Sequence, residues 1–267
     1  MEPLPEWAPE GTDLTRASSA RMYDYFLGGT HNFPVDRELA QRVIKLAPDV
    51  PLFARANRAF LLRVVRYLVG QGVRQFIDLG SGVPAVDTVH ETAQREAPDA
   101  RVLYVDKDPV AVAQSRLMLR GNENAAVLQA DLRQMKGLLE SAELAALIDP
   151  SRPVAVLLVA VLHFVPEEAN PAEGLRQLID VVAPGSYLVI SHGVSEGLPP
   201  QAPQITELFS FADPVTLRSR NQIEELFTGW QLVEPGLVGV SEWRPDRPDA
   251  TLAGAGSLVL GGVARTP

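Results

Sequence analysis

From Val73 onward, short apolar runs alternate with helix-period segments five times, and no other feature restricts the fold of this chain so strongly. Residues 75–79, 101–105, 125–128, 154–161 and 187–191 read as strands. The run 154–161 is continuous in Val, Ala and Leu, as a strand covered on both faces requires. Helices are expected over 85–96, 109–119, from about 133, and over 172–183. Ser219 with Gln222 three residues later forms a capping-box pattern for a helix to Phe227, which Gly229 stops. Two strand-like pieces, 230–240 and 257–264, close the chain with no helix between them. Strand–helix alternation followed by two directly connected strands predicts an α/β fold: a doubly wound, mostly parallel, seven-stranded sheet whose last strand is antiparallel.

The first 72 residues read differently. Helices are expected over 17–27, ended by Gly28-Gly29, over 35–47, and over 53–69, with Pro48 and Pro51 as punctuation. The chain therefore divides into a helical cap or lid, 1–72, and a sheet domain, 73–267. With no cysteine, disulfides, thiolate zinc sites and cysteine nucleophiles are excluded. A net charge of −9 argues against nucleic acid, whose phosphates need a basic face. Residues 154–165 form the longest apolar run; His163 interrupts it and it is too short for a membrane span of about 20 residues. Glu2, Glu6, Glu10 and Asp13 precede the first Arg16, the reverse of a secretion signal, so a cytoplasmic protein without membrane contact is expected. The sequence contains no His/Asp cluster at metal-ligand spacing, and no metal is expected.

In a doubly wound sheet, ligands bind at the carboxyl ends of the strands where strand order reverses. The residues there are Asp78 to Pro84, Asp106 to Asp108, Ala130 to Leu132, Leu162 to Phe164 and Ser191 to Gly193. Gly80 and Gly82 allow close backbone approach to a ligand. Asp106, ending the second strand, suits the vicinal hydroxyls of a ribose. Gly80-Ser81-Gly82-Val83-Pro84-Ala85 satisfies a loose dinucleotide pattern that does not separate nicotinamide enzymes from methyltransferases. Asp78 and Pro84 tilt the reading. A carboxylate two residues before the first glycine suits an ammonium group, and the proline stiffens a loop where a pyrophosphate needs free N–H groups.

Phe76-Ile-Asp78-Leu-Gly80-Ser-Gly82, Tyr104-Val-Asp106-Lys-Asp108-Pro109 and Ala130-Asp131 resemble the first three motifs of class I S-adenosylmethionine-dependent methyltransferases, whose fold is Rossmann-like. The N-terminal block Ser19 to Gly29, with Asn32-Phe33, Asp36-Arg37 and Asn57-Arg58-Ala-Phe60, resembles a methyltransferase family of unassigned substrate known as a domain of unknown function. The resemblance implies S-adenosylmethionine as cofactor and a small-molecule acceptor. It places Gly80, Ser81 and Gly82 under the cofactor, Asp78 near its amino-acid end, Asp106 with Lys107 at the ribose, and Asp131 with Leu132 at the adenine. Val83-Pro84 departs from the commonest loop pattern.

His163 and His192 end the fourth and fifth strands. Because histidine titrates near neutrality, His163 is a candidate base that also lines the cofactor, with Tyr23 the other catalytic candidate. His192, Tyr23, His31, Asn32, Phe33 and Phe209 are candidate substrate contacts, and Phe211 shares the position of Phe209. Plain packing and capping roles compete with each of these, and His90 reads as structural. Two alternatives to a methyltransferase stay open at this level: a nicotinamide-dependent oxidoreductase, and a non-catalytic nucleoside-binding protein.

Overall fold

The computed structural model describes residues 5–134, 137–138, 140–246 and 258–267. Five parallel strands form the body of one sheet: β1 (Gln75–Leu79), β2 (Arg101–Asp106), β3 (Ala125–Gln129), β4 (Ala155–Val159) and β5 (Tyr187–Gly193). β8 (Val259–Arg265) runs antiparallel to β5, and two short pieces, β6 (Gln231–Leu232) and β7 (Val238–Gly239), pair with β8. The order is β3-β2-β1-β4-β5-β8-β6, with β7 also on β8. Eight strands thus stand where seven are expected, because the segment 230–240 breaks in two. Leu232 pairs with Ala264 and Val238 with Gly261, so five intervening residues face two, and the excess around Pro235 and Gly236 loops away from the ladder. The helix expected from about 133 and the strand start at 257 fall partly outside the described residues.

Strand order reverses between β1 and β4, which opens a crevice at their carboxyl ends. Alternate strand residues supply the two covered faces. Ile77, Leu103, Val156, Leu188 and Ile190 pack on one side. Phe76, Val102, Tyr104, Leu157 and Val189 pack on the other, together with Phe60, Val64 and Leu68 of α3 (Val50–Gly70). Asp78 and Asp106 share the parity of this second face, so both carboxyls lie on the side covered by α3.

The helical segment starts with α1 (Ser19–Phe26) and α2 (Pro34–Leu46). A buried ion network joins them to the tip of β2: Arg21 donates to Asp36 at 2.8 Å and to Asp108 at 3.4 Å, and Ser18 Oγ donates to Asp108. The partner of Asp36 is therefore Arg21 rather than its neighbour Arg37. Pro51 sits in the first turn of α3, where its missing N–H costs nothing, so it starts that helix instead of separating it from the residues before. Further α-helices among the described residues are α4 (Val89–Glu96), α5 (Pro109–Met118), α6 (Ala142–Leu147), α7 (Pro171–Leu178), α8 (Ala202–Ser210) and α9 (Arg220–Glu225). α9 carries the expected Ser219–Gln222 capping box. Among the described residues, no helix is long and apolar enough to cross a membrane.

Candidate active site

The site grows from the turn after β1. Gly80 has φ +73°, and a Cβ there would meet Val161 Cγ2 at 2.2 Å, so the first glycine is demanded by packing against the β4 exit. Gly82, at φ +68°, has nothing within 4 Å of a Cβ position; its requirement is the left-handed backbone angle. That angle turns its N–H onto Asp106 Oδ2 at 2.7 Å. The helix expected from residue 85 begins only at Val89, capped by Thr88 and Glu91. The residues between form a loop through Pro84 and Asp87, so no helix N-terminus stands at the glycines to receive a pyrophosphate.

Asp106 is held from both ends: Gly82 N–H donates to Oδ2, and Asp108 N–H donates to Oδ1 at 2.8 Å. The helix cap is instead Asp108, whose Oδ1 accepts from Val110 and Ala111. Asp106 is thus freed for a ligand, with one lone-pair direction left on each oxygen. Burial pushes its carboxyl up to about 6, against the opposing pull of the two N–H donors. Asp131 is half-buried, pairs with the Arg133 guanidinium and accepts from Arg133 N–H at 3.0 Å. Lys107 pairs with Asp213, which also receives Ser19 Oγ–H at 2.6 Å, so one carboxylate bridges the β2 exit, α1 and the segment after α8.

Asp78 lies buried on the sheet side of the crevice, and burial pushes its carboxyl up to about 7, with Arg58 lowering and Asp106 raising it. Beside it are two sealed donors without partners, Arg58 Nε and Ser81 Oγ. Arg58 spends one other N–H on the Asp87 carbonyl at 2.8 Å. A carboxylate, a guanidinium and a hydroxyl, all short of partners, fit a ligand that carries an ammonium and a carboxylate on one carbon.

The two histidines part ways. His163 lines the crevice, but burial and the neighbouring His192 and Arg218 hold its pKa near 3. Its imidazole is neutral at physiological pH, and Nδ1 is buried without a hydrogen-bond partner. His192 is fully buried: its Nδ1–H donates to the Gly193 carbonyl at 2.7 Å, and Nε2 accepts from Arg218 at 2.8 Å. With both nitrogens spent, it is not a substrate contact. Arg218 also donates to the carbonyls of Leu162 and Val165, each at 2.9 Å, and to Glu167 at 2.6 Å. This arginine shapes the β4 exit that presents His163 and Phe164, and no local sequence signal marks it.

The N-terminal block is wired internally rather than aimed at a substrate. Asp24 accepts from Asn32 Nδ2 at 2.8 Å and from His31 N–H at 3.0 Å. It packs so closely that a Cβ on Gly29 would lie 1.9 Å from Oδ1, while Gly28 supplies the positive φ that ends α1. Phe33 stacks on Trp7 at 4.9 Å, and His31 meets the same indole edge-on. His31, Asn32 and Phe33 therefore do not reach the crevice, and exposed Phe211 lies against Arg42 instead. Tyr23 does line it, but its hydroxyl is committed. A hydrogen-bond chain runs from Ala160 N–H to Ser191 Oγ, from that hydroxyl to Asn57 Oδ1, from Asn57 Nδ2 to Tyr23 Oη, and from Tyr23 to the Ala54 carbonyl. Burial raises the Tyr23 pKa further, which keeps the hydroxyl protonated.

The crevice itself is one cavity of about 270 Å³. It gathers Asp78, Gly80, Ser81, Gly82, Asp106, Lys107, Asp131 and Leu132 of the expected cofactor set, together with His163, Tyr23 and Phe209. Arg58 joins them, although its place in the sequence suggests only a cap residue. A family model described as S-adenosyl methyltransferase matches residues 5–267. The chain belongs to this family. A candidate methyltransferase from Thermobifida fusca YX has the same fold at a TM-score of 0.92 and 38% identity, covering 98% of this chain and 99% of its own. A DUF574 family protein from Streptomyces avermitilis MA-4680 superposes at 0.90 with 37% identity, covering 96% and 99%. No protein of curated function matches. As an S-adenosyl methyltransferase the chain uses S-adenosylmethionine.

Proposed function

We propose that this S-adenosyl methyltransferase seats S-adenosylmethionine across the tips of β3, β2 and β1 and methylates a small-molecule acceptor in the cytoplasm. Asp106 takes the ribose hydroxyls on its two remaining lone-pair directions, with Lys107 alongside, and Asp131 with Leu132 frames the adenine. Gly80 and Gly82 pass beneath. Asp78 receives the ammonium, while Arg58 and Ser81 donate to the carboxylate. The observation that carries this reading is the convergence of Asp78, Asp106, Arg58 and Ser81 on one crevice. The net charge of −9 supports a small acceptor over nucleic acid.

When bound, S-adenosylmethionine supplies a methyl group already activated by its sulfonium. The chain's own contribution is placement and exclusion of water. Effective molarities of about 10⁵–10⁸ M show how much placement alone can supply. The helices up to residue 72 act as the lid, held to the β2 tip by Arg21, Asp36 and Asp108. The Tyr23 hydroxyl is committed to Asn57 and Ala54, so we assign it to the wall of the site, where His163 keeps an unpartnered Nδ1.

Calorimetric titration with S-adenosylmethionine, S-adenosylhomocysteine and NAD tests the seat. Both adenosyl compounds are expected to bind and NAD to bind far more weakly; tighter NAD binding overturns it. Replacing Arg58 by Met should weaken S-adenosylmethionine by about 1.5–3 kcal/mol, the range for a hydrogen bond to a charged group. It should leave adenosine, which has no carboxylate, unaffected.

A further inference from the structure

The crevice has two chemically different halves, and the sheet order separates them. Over β3, β2 and β1 stand Asp131, Asp106 and Asp78, with Arg133, Lys107 and Arg58 around them. Over β4, β5 and β8 the floor is apolar, formed by Phe164 and Val165 after β4 and by Val259, which pairs with Gly193 at the end of β5. Tyr23 is tied to this half through Asn57 and Ser191 of β5, and Phe53 of α3 and Phe209 of α8 line the same cavity. Among the described residues lining this half, none is Asp, Glu, Lys or Arg.

The polar groups of this half are spent or neutral. Tyr23 and Asn57 satisfy one another within the hydrogen-bond chain, and His163, which is uncharged, keeps one unpartnered ring nitrogen, Nδ1. Tyr23, Phe53, Phe164 and Phe209 are only half-buried, whereas the core aromatics Phe60 and Phe76 are fully sealed. Their open surfaces face a cavity.

We infer that the methyl acceptor is an uncharged, planar aromatic molecule bound over β4, β5 and β8. The inference rests on the reading of the other half as the S-adenosylmethionine seat. Two physical arguments select this class. A carboxylate or ammonium brought here would lose its hydration with no counter-charge to replace it. Aromatic walls, by contrast, take a flat ring through offset and edge-to-face contacts that add to simple burial.

The test uses three probes with one ring system: 1-naphthol, 1-naphthoate and 1-naphthylmethylammonium, each titrated at pH 7.5 into the full chain saturated with S-adenosylhomocysteine. Naphthol should bind at least about tenfold more tightly than either ion, since only the ions forfeit hydration. Phe53→Ala and Phe209→Ala should each weaken naphthol by about fivefold while S-adenosylhomocysteine affinity stays at its original value, which also shows that the variants fold. Phe53→Lys should reverse the order in favour of naphthoate. An ion that binds as tightly as naphthol, no naphthol binding to the saturated protein, or naphthol binding indifferent to both alanine variants overturns the inference. If S-adenosylhomocysteine itself fails to bind, the cofactor seat falls, and that result is distinct from the other three.

Discussion

The two halves of the crevice differ in how they are made as much as in what they present. The half over β1, β2 and β3 takes most of its groups from strand tips and the few residues after each, so a dipeptide or tripeptide fixes each contribution. The apolar part of the lining is assembled from residues as distant as Tyr23, Phe53, Phe164, Phe209 and Val259, brought together by the tertiary fold. Charge and backbone geometry define the first, and shape defines the second. A binding site for a constant ligand can be written into short motifs, while a site for a variable one is spread over the fold.

The contrast can be broken by experiment. The largest effect should come from Arg218→Leu, which strands the carbonyls of Leu162 and Val165, His192 and Glu167 at once. Urea denaturation should show a loss of about 3–5 kcal/mol, because the Leu162 and Val165 carbonyls and His192 Nε2 are left unpaired at about 1–3 kcal/mol each. A loss below about 1 kcal/mol would mean that other contacts shape the apolar half. Next, Asp106→Ala should weaken S-adenosylmethionine by about 3 kcal/mol, roughly 100-fold, because two charge-assisted bonds disappear. Unchanged affinity in calorimetry would move the ribose elsewhere.

A pH dependence follows from the polar half alone. Asp78 and Asp106 have folded values of about 7 and about 6, both above the ordinary 3.8. The free protein therefore holds more protons than the unfolded chain in this range, and these two groups make it less stable as pH rises from about 4 to about 7. A cationic ligand favours the ionised carboxylates, so its binding should expel protons. S-adenosylmethionine affinity should then rise between pH 5.5 and 7.5 by up to about tenfold per unit for each proton released. Asp78→Asn should flatten the upper part of that profile, and naphthol binding should show none of it. The smallest effect is expected for Asp131→Ala, below about 1 kcal/mol in cofactor affinity, since its half-buried carboxylate is already engaged by Arg133.

The sheet body was legible because strand tips and helix caps are local. Residues 75–79 appear unchanged as β1, the Ser219–Gln222 capping box is present, and Asp78, Asp106 and the paired glycines meet as their spacing implied. What a window of sequence does not carry is which polar group answers which. Asp36 selects Arg21 from the preceding helix, His192 is consumed by Arg218 from 26 positions away, and the pKa of His163 falls through burial. The aromatic block around His31 and Phe33 suggested a substrate wall, yet Trp7, far outside any motif, claims both rings. Local patterning located the crevice; burial and long-range partners decided which side chains are free within it.

The chain of donors from Ala160 through Ser191, Asn57 and Tyr23 to Ala54 points one way along its whole length, because it begins at an amide proton and ends at a carbonyl. It ties α1 and α3 to the end of β5. Asn57 is the only member whose two ends differ chemically, so it sets the polarity. An aspartate there would offer Tyr23 an acceptor where it now finds a donor, leaving two oxygens in competition for one proton. Ser191 would still find its acceptor, so the tie from α3 to β5 would persist while the tie between α1 and α3 would be gone.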